Sequence, residues 1–156
     1  MCVPRNAIPF DHGALKRWRI ERELTQAELA REIGLAREIS ISDWERTKTP
    51  TLATVKKLAE VLRVPINDLL VPAEDDQRDL RRLRIEAGLD VGQAAEQLEM
   101  LKATYSSWEE KKVVALIEKA DVERIATVFN VTVETAVKAV VLSSRAARYA
   151  NWPFGP

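Results

Sequence analysis

Cysteine and histidine, the residue types that most often carry covalent or metal chemistry, occur once each in the 156 residues, as Cys2 and His12. A single cysteine excludes an internal disulfide, and no Cys/His cluster has the spacing of a zinc site. The sequence offers no Gly-rich phosphate loop, no nucleophile beside a base and no credible carboxylate pair. It therefore predicts no catalysis, no metal, no cofactor and no small-molecule ligand. We expect His12 to be exposed or to cap a helix, and Cys2 to have no role.

The charge balance is neutral, with 24 basic and 24 acidic side chains, whereas nucleic-acid domains are often strongly basic. Residues 1–72 carry twelve basic and ten acidic side chains, a net +2, and residues 73–156 carry twelve and fourteen, a net −2. Only a local basic face is therefore expected to bind phosphate. The longest apolar run, Ala136 to Leu142, is interrupted by Lys138 and is too short to cross a bilayer. With no signal peptide visible and one cysteine, the predicted location is the cytoplasm.

The elements that would position functional residues occur twice, because Leu15–Glu21 (LKRWRIE) matches Leu80–Glu86 (LRRLRIE). The further matches are Leu24 with Leu89, Ala30 with Ala95, Ile33 with Leu98, Trp44-Glu45 with Trp108-Glu109 after a one-residue offset, Leu58-Ala59 with Ile125-Ala126, and Val64 with Val131. Self-similarity of this kind indicates a duplicated unit of about 60 residues.

Strong helix formers dominate both copies, so we predict an all-α protein with five helices in each unit. In the first unit the predicted helices run over about 14–23, 25–34, 38–46 and 51–62, with a last turn over 65–70. Thr25 with Glu28 forms a capping box, and Asp90 with Gln93 repeats it. Thr132 is expected to cap an extended C-terminal helix that runs towards Tyr149.

The predicted domain order is an N-terminal arm (1–13), the first unit (14–71), an acidic linker (72–78), the second unit (79–142) and a C-terminal helix end with an aromatic tail (143–156). Arg5 in the arm would either reach into a minor groove or belong to a packed or frayed tail. The aromatic tail would pack on its own unit or form a dimer interface.

Two helices joined by a turn of three or four residues place the second helix in the major groove of DNA. The stretch 14–70 has this spacing and resembles the Cro/C1-type (XRE-like) helix-turn-helix family, whose λ-repressor-like domains have five helices. The matching residues are Arg19, Thr25-Gln26, Leu29-Ala30, Ile33-Gly34, Ile41-Ser42, Trp44-Glu45, Pro50, Leu58-Ala59 and Val64. A second, divergent match covers 79–138 through Arg84, Ala94-Ala95, Leu98, Trp108-Glu109 and Ile125-Ala126.

The resemblance implies double-stranded DNA as the partner and assigns roles in the first unit. Gln26 would contact a phosphate, helped by the helix dipole. The side chains that would face base edges are Arg37, Glu38, Ser40 and Asp43, and those on the phosphate backbone are Lys48 and Thr49. In the second unit the corresponding surface is Lys102, Ala103, Thr104 and Ser107, with Lys111 and Lys112 on phosphate.

Three departures from the family pattern matter for these roles. The first unit has one additional residue between Gly34 and Glu45, which leaves the register of its third helix open by one residue. Glu38 and Asp43 are acidic close to phosphates. The second unit has Val91 in place of the phosphate-binding Gln and Glu99 in place of the turn Gly.

Arg19 and Arg84 have the positions at which the family forms an ion pair, so we expect pairs with Glu45 and Glu109 rather than DNA contacts. Trp44 and Trp108 could stack on bases, but their helical spacing from Ile41 and Tyr105 favours the core.

The predicted function is sequence-specific transcriptional regulation, as a repressor of phage or mobile-element type. A monomer would read two successive major grooves of an asymmetric site, and a homodimer on a palindrome is the alternative. The rival is a protein-interaction or antitoxin-like module in which only the first domain binds DNA.

Overall fold

The structure, a computed structural model, describes residues 8–110 and 118–143. Within these ranges the regular elements are helical, apart from a single antiparallel bridge between Phe10 and Leu70. The all-α class is therefore confirmed. The chain divides into two compact units, Met1–Pro72 and Ala73–Pro156.

The first unit contains helices α1 (His12–Glu21), α2 (Gln26–Glu32), α3 (Ile39–Trp44) and α4 (Leu52–Leu62), followed by a 3₁₀ turn over Ile66–Leu69. Helix α1 begins two residues before the predicted start, because the Asp11 carboxylate accepts a hydrogen bond from the Ala14 N–H at 2.9 Å. The capping box of Thr25 and Glu28 is confirmed, and Thr51 caps α4 as predicted. Helix α3 is shorter than the predicted range of 38–46.

The core of the first unit joins all four helices through fully buried aliphatic side chains. These are Leu15, Leu29, Ile41, Val55, Leu58 and Leu62. The described part of the predicted N-terminal arm also packs here, since Phe10 is buried and the Asp11 N–H donates to the Leu69 carbonyl at 2.9 Å. Residues 1–7, with Arg5, lie outside the described residues.

The second unit begins with a 3₁₀ turn over Asp75–Gln77 and continues with α5 (Leu80–Glu86), α6 (Val91–Gln97), α7 (Lys102–Glu109), α8 (Lys119–Val128) and α9 (Val133–Ser143). Arg78 binds Glu86 at 2.6 Å and Asp75 at 2.9 Å. The structure therefore places part of the predicted linker in the second unit. The predicted extension of the last helix beyond Ser143 and the aromatic tail lie outside the described residues.

The second core contains a buried tyrosine in place of an aliphatic side chain. Tyr105, Leu98 and Ile125 are fully buried, and Trp108 packs beside them. Ser143 Oγ accepts a hydrogen bond from the Leu80 N–H at 2.9 Å, which joins the ends of α9 and α5. No single helix of the described ranges is long and apolar enough to cross a bilayer. Helices α8 and α9 reach that length together, but they meet at a bend of 108°.

Three turns with left-handed backbone recur in the two units. The equivalent pairs, with their φ angles, are Glu23 (55°) and Gly88 (68°), Gly34 (83°) and Glu99 (55°), and Arg63 (54°) and Asn130 (51°). Left-handed backbone is strained for residues that carry a Cβ atom. Glu99 thus adopts the conformation of the family's turn glycine, so the missing glycine does not redirect the chain between α6 and α7.

Candidate nucleic-acid interface

The segment from α2 to α3 is a helix, a turn and a second helix, and the segment from α6 to α7 repeats it. In the first unit the turn covers residues 33–38 and in the second unit residues 98–101. Both turns leave the preceding helix in the same way: the Leu35 N–H donates to the Ala30 carbonyl at 2.8 Å, and the Met100 N–H donates to the Ala95 carbonyl at 2.9 Å.

Buried side chains define the register of the second helix in each segment. Ile41 of α3 and Tyr105 of α7 are fully buried, each three residues before its tryptophan. Trp108 is buried and Trp44 packs on its core while half-buried. Because the two helices match through these pairs, the additional residue of the first unit lies in the turn and not within α3. The turn is longer by a further residue because α3 begins at Ile39, one position later than the equivalent of Lys102.

This register fixes where the predicted base-reading residues lie. In the first unit Arg37 and Glu38 are exposed in the turn, while Ser40 and Asp43 are half-buried on α3. The exposed positions of α7 are Lys102, Ala103 and Thr104, with Ser107 half-buried. Lys48 and Thr49 are exposed in the loop after α3. Lys111 and Lys112 lie outside the described residues.

Arg19 and Glu45 tie α1 to the end of α3. Arg19 Nε donates to Glu45 Oε1 at 2.5 Å and Nη2 donates to Oε2 at 3.1 Å. Arg19 Nη1 also donates to the Leu24 carbonyl at 2.8 Å. Gln26 Nε2 donates to Glu45 Oε2 at 2.8 Å. Burial opposes ionisation of Glu45, but the hydrogen bonds from Arg19 and Gln26 outweigh it and hold the pKa of this carboxyl below its ordinary value.

Arg84 and Glu109 repeat this arrangement in the second unit, with distances of 2.5 and 3.1 Å. Arg84 Nη1 donates to the Leu89 carbonyl at 2.9 Å. Burial disfavours the charged guanidinium, but the hydrogen bonds and the charge of Glu109 raise the pKa of Arg84 above its ordinary value. Val91, at the position of Gln26, has no amide to complete the group and packs on the core instead.

Asp43 forms an ion pair within its own unit, with Lys48 Nζ 2.7 Å from Asp43 Oδ2. The sequence does not indicate this pair, since the two residues are separated by the end of α3 and the start of a loop. A cation close to an acidic side chain reduces the repulsion between that side chain and nearby phosphates. The contact with Lys48 therefore reduces the unfavourable effect expected of Asp43 on DNA binding.

A cleft of about 350 Å³, lined by polar and charged residues, lies between α1, α2 and α3. Its lining residues are Lys16, Arg19, Gln26, Ser42, Glu45 and Arg46. Arg46 Nη2 donates to Ser42 Oγ at 2.8 Å, which holds the guanidinium at the edge of the cleft. Lys16 and Arg46 are exposed cations that the sequence reasoning missed.

The matching positions of the second unit differ in charge. Glu110 stands where the first unit has Arg46, and Ser106 Oγ donates to its carboxylate at 3.4 Å. Val91 stands where the first unit has Gln26. The sequence alone would have shown this change from Arg46 to Glu110 if the two copies had been aligned through Trp44 and Trp108.

His12 is half-buried and caps the last turn of α3, which is one of the two roles predicted for it. Its Nδ1–H donates to the Trp44 carbonyl at 2.7 Å, at the last turn of α3. Its ring meets Phe10 edge-on at 5.5 Å. Over residues 8–110 and 118–143, no three His, Cys, Asp or Glu side chains converge as metal ligands would.

Known proteins resemble both units. A family model described as helix-turn-helix matches residues 15–69, and a model described as helix-turn-helix domain matches residues 78–137. The transcriptional repressor RstR of the cryptic phage CTXphi, from Vibrio cholerae, is 35% identical over 74 residues. That match covers 46% of this chain and 67% of the relative. No solved structure gives a significant match.

Proposed function

The chain belongs to the Cro/C1-type helix-turn-helix family as two tandem copies and is a DNA-binding transcription regulator, and on that premise we propose that it is a repressor that reads two successive major grooves of one operator. The observation that carries the proposal is that the same Arg–Glu ion pair holds α3 and α7 in their units. Arg19–Glu45 fixes the end of α3, and Arg84–Glu109 fixes the end of α7, so the two helices have the same register. Similarity to a phage repressor supports the sign of regulation. Repression needs only occupancy of the operator, which agrees with the predicted absence of catalysis.

The first unit would bind through contacts of two kinds. Gln26, Lys48 and Thr49 would contact phosphates, which set orientation and affinity without reading sequence. The side chains proposed to face base edges are Arg37, Glu38, Ser40 and Asp43. A guanidinium matches the acceptors of guanine, a carboxylate accepts from the cytosine amino group, and a hydroxyl can pair with either class of edge.

The second unit would present a less charged surface. Lys102, Ala103, Thr104 and Ser107 would face bases, while the sequence neighbours Lys111 and Lys112 would contact phosphate. Because this set differs from that of the first unit, a site read by one chain is asymmetric.

One polypeptide suits this arrangement for a physical reason. Recognition helices that read successive major grooves are about 34 Å apart. Once one unit has docked, a short connection raises the effective concentration of the other. A monomer could then read the whole operator without a second chain, whereas a homodimer that uses mainly the first unit would require a palindrome.

The second candidate function is an interaction module in which only the first unit binds DNA. Two replacements favour it: Val91 removes the phosphate-binding amide, and Glu110 places a negative charge where the first unit has Arg46. Its partner would be another protein or a second copy of the chain.

Matched charge substitutions separate the two candidates. Ser40→Glu and Thr104→Glu place a carboxylate at equivalent positions of α3 and α7, and like charge opposite DNA costs affinity. We expect each variant to lose at least about tenfold in affinity for a duplex selected by the wild-type chain. Asn67→Glu and Thr127→Glu add the same charge at exposed positions elsewhere in each unit and serve as controls.

Affinity is measured by fluorescence anisotropy at a fixed salt concentration, and folding is checked by circular dichroism. If Thr104→Glu binds like the wild type while Ser40→Glu does not, the two-groove proposal is wrong and the interaction module is favoured.

A further inference from the structure

Two large apolar side chains of the helix-turn-helix segments are exposed. Ile39, the first residue of α3, is 59% exposed, and Leu101, directly before α7, is 76% exposed. An exposed aliphatic side chain gains nothing from burial in the folded state. Neither residue has a place in the base-reading sets derived from the family resemblance.

Matching the two units position by position adds one residue to the base-reading set of each unit. Matched through Trp44 and Trp108, Ile39 corresponds to Ala103 and Leu101 corresponds to Arg37. Each exposed aliphatic residue therefore occupies a position at which the other unit carries a residue already assigned to base edges. The pairing of these positions depends on burial and register, whereas the assignment of Arg37 and Ala103 to base edges rests on the family resemblance.

The beginnings of α3 and α7 also lack the side-chain cap that α1, α2, α4, α5 and α6 have. Helices α1, α2, α4, α5 and α6 each start after an Asp or Thr whose side chain accepts a backbone hydrogen bond. The residues before α3 and α7, Glu38 and Leu101, make no such bond. Leucine is a poor N-cap compared with Asp or Thr, because its side chain cannot accept a backbone hydrogen bond. Leu101 thus costs stability at a position where it is also exposed.

We propose that Ile39 and Leu101 are specificity-determining residues that contact the 5-methyl group of thymine, one in each half of the operator. Among the base edges in the major groove, the thymine methyl is the apolar group that an aliphatic side chain can cover. The inference rests on the proposed function, because it needs both α3 and α7 in a major groove. It predicts at least one A·T pair at the Ile39 position and one at the Leu101 position.

Deoxyuridine tests the inference at the level of one methyl group. A duplex is first selected from a random library by the wild-type chain, and each thymine of the enriched sequence is then replaced singly by deoxyuridine. Removing a contacted methyl should weaken binding about fourfold, which corresponds to about 0.8 kcal/mol. Ile39→Ala and Leu101→Ala should each abolish this sensitivity at one position of the duplex.

Ile20→Ala and Val133→Ala remove exposed aliphatic side chains at other places in each unit and are the matched controls. They should keep the wild-type response to deoxyuridine. Thermal unfolding shows that each variant is folded before its affinity is compared.

The outcomes separate the inference from the proposed function. The inference alone is overturned by a selected motif whose affinity is insensitive to deoxyuridine. It is equally overturned if either Ile39→Ala or Leu101→Ala keeps the wild-type sensitivity at every thymine of the duplex. A library that yields no motif overturns the proposed function and the inference with it. If Leu101→Ala changes self-association and leaves the deoxyuridine response intact, Leu101 belongs to a protein interface and the inference is wrong.

Discussion

Gln26 Nε2 donates a hydrogen bond to Glu45 Oε2 at 2.8 Å, so the amide proposed to meet a phosphate is held by the carboxylate that also binds Arg19. This contact joins the start of α2 to the end of α3. It fixes one side-chain rotamer before DNA arrives, which lowers the entropy cost of binding. In the second unit Val91 makes no equivalent contact with Glu109.

Gln26→Ala should weaken DNA binding by about tenfold, since a hydrogen bond to a charged group contributes about 1.5 kcal/mol. A phosphate contact carries no sequence information, so the loss should be the same for the selected duplex and for random duplexes. Ser40→Ala is the comparison and should relax the preference at individual base pairs. Affinities for a panel of single-base variants provide the measurement, and a Gln26→Ala variant with altered base preference would contradict the assigned role.

The buried ion pair of the second unit should tolerate loss of both partners better than loss of one. Arg84→Met leaves Glu109 buried without its partner and should cost roughly 3 kcal/mol of unfolding free energy. Arg84→Met with Glu109→Met removes both charges and should recover a large part of that cost. Urea denaturation gives the free energies, and a double variant no more stable than Arg84→Met would refute the explanation.

Glu45 should give the first unit an acid-dependent stability. Its folded pKa lies below the ordinary value of 4.5, so ionised Glu45 stabilises the fold fully above that value. The stabilisation is lost as the pH falls from 4.5 through the folded pKa. Glu45→Gln lacks this contribution, so the stability difference between wild type and variant should narrow in that pH range. Unfolding curves at several pH values test this, and a constant difference from pH 7 to about pH 3 would be inconsistent with it.

Gly34 in the first unit and Glu99 in the second occupy the same left-handed turn position, so substitutions at these two residues should have opposite effects on stability. Glu99→Gly relieves a left-handed backbone at φ 55° and should stabilise the second unit by about 1 kcal/mol. Gly34→Ala should destabilise the first unit by about 1 kcal/mol, because an added Cβ meets no atom within 4 Å and only the φ of 83° opposes it. Thermal unfolding measures both, and effects of equal sign would show that the turns do not share a conformation.

The charge reversal between Arg46 and Glu110 predicts that the second unit can gain affinity. Glu110→Arg should strengthen binding and increase the slope of log affinity against log salt by about 1, as one added phosphate contact would. Arg46→Glu should decrease that slope in the first unit. Titrations at several salt concentrations measure the slopes. A Glu110→Arg variant with the wild-type slope would place this position away from the DNA backbone.

Sequence periodicity and capping residues were enough to predict the all-α class, the tandem helix-turn-helix units and the caps at Thr25 and Asp90. These features depend on residues a few positions apart. The start of α1 was predicted two residues too late, although its cap, Asp11, is a local signal. Phe10, directly before that cap, pairs with Leu70, a contact between distant parts of the chain that the sequence pattern does not indicate.

The candidate site was less predictable for the same reason. The bond from His12 to Trp44 spans 32 residues, and the pair of Asp43 with Lys48 depends on how the loop leaves α3. No local pattern encodes either contact. Ile39 and Leu101 were missed because aliphatic residues in a helical pattern are ordinarily assigned to the core, and only burial separates them from Ile41.

Selection of bound fragments from a randomised duplex library tests the central claim, that both units read DNA within one chain. The length and the symmetry of the enriched motif are the quantities to measure. We expect an asymmetric motif that spans more than one helical turn, because α3 and α7 present different side chains to successive major grooves. A palindromic motif would instead indicate a dimer that reads DNA mainly through the first unit, and it would contradict the claim.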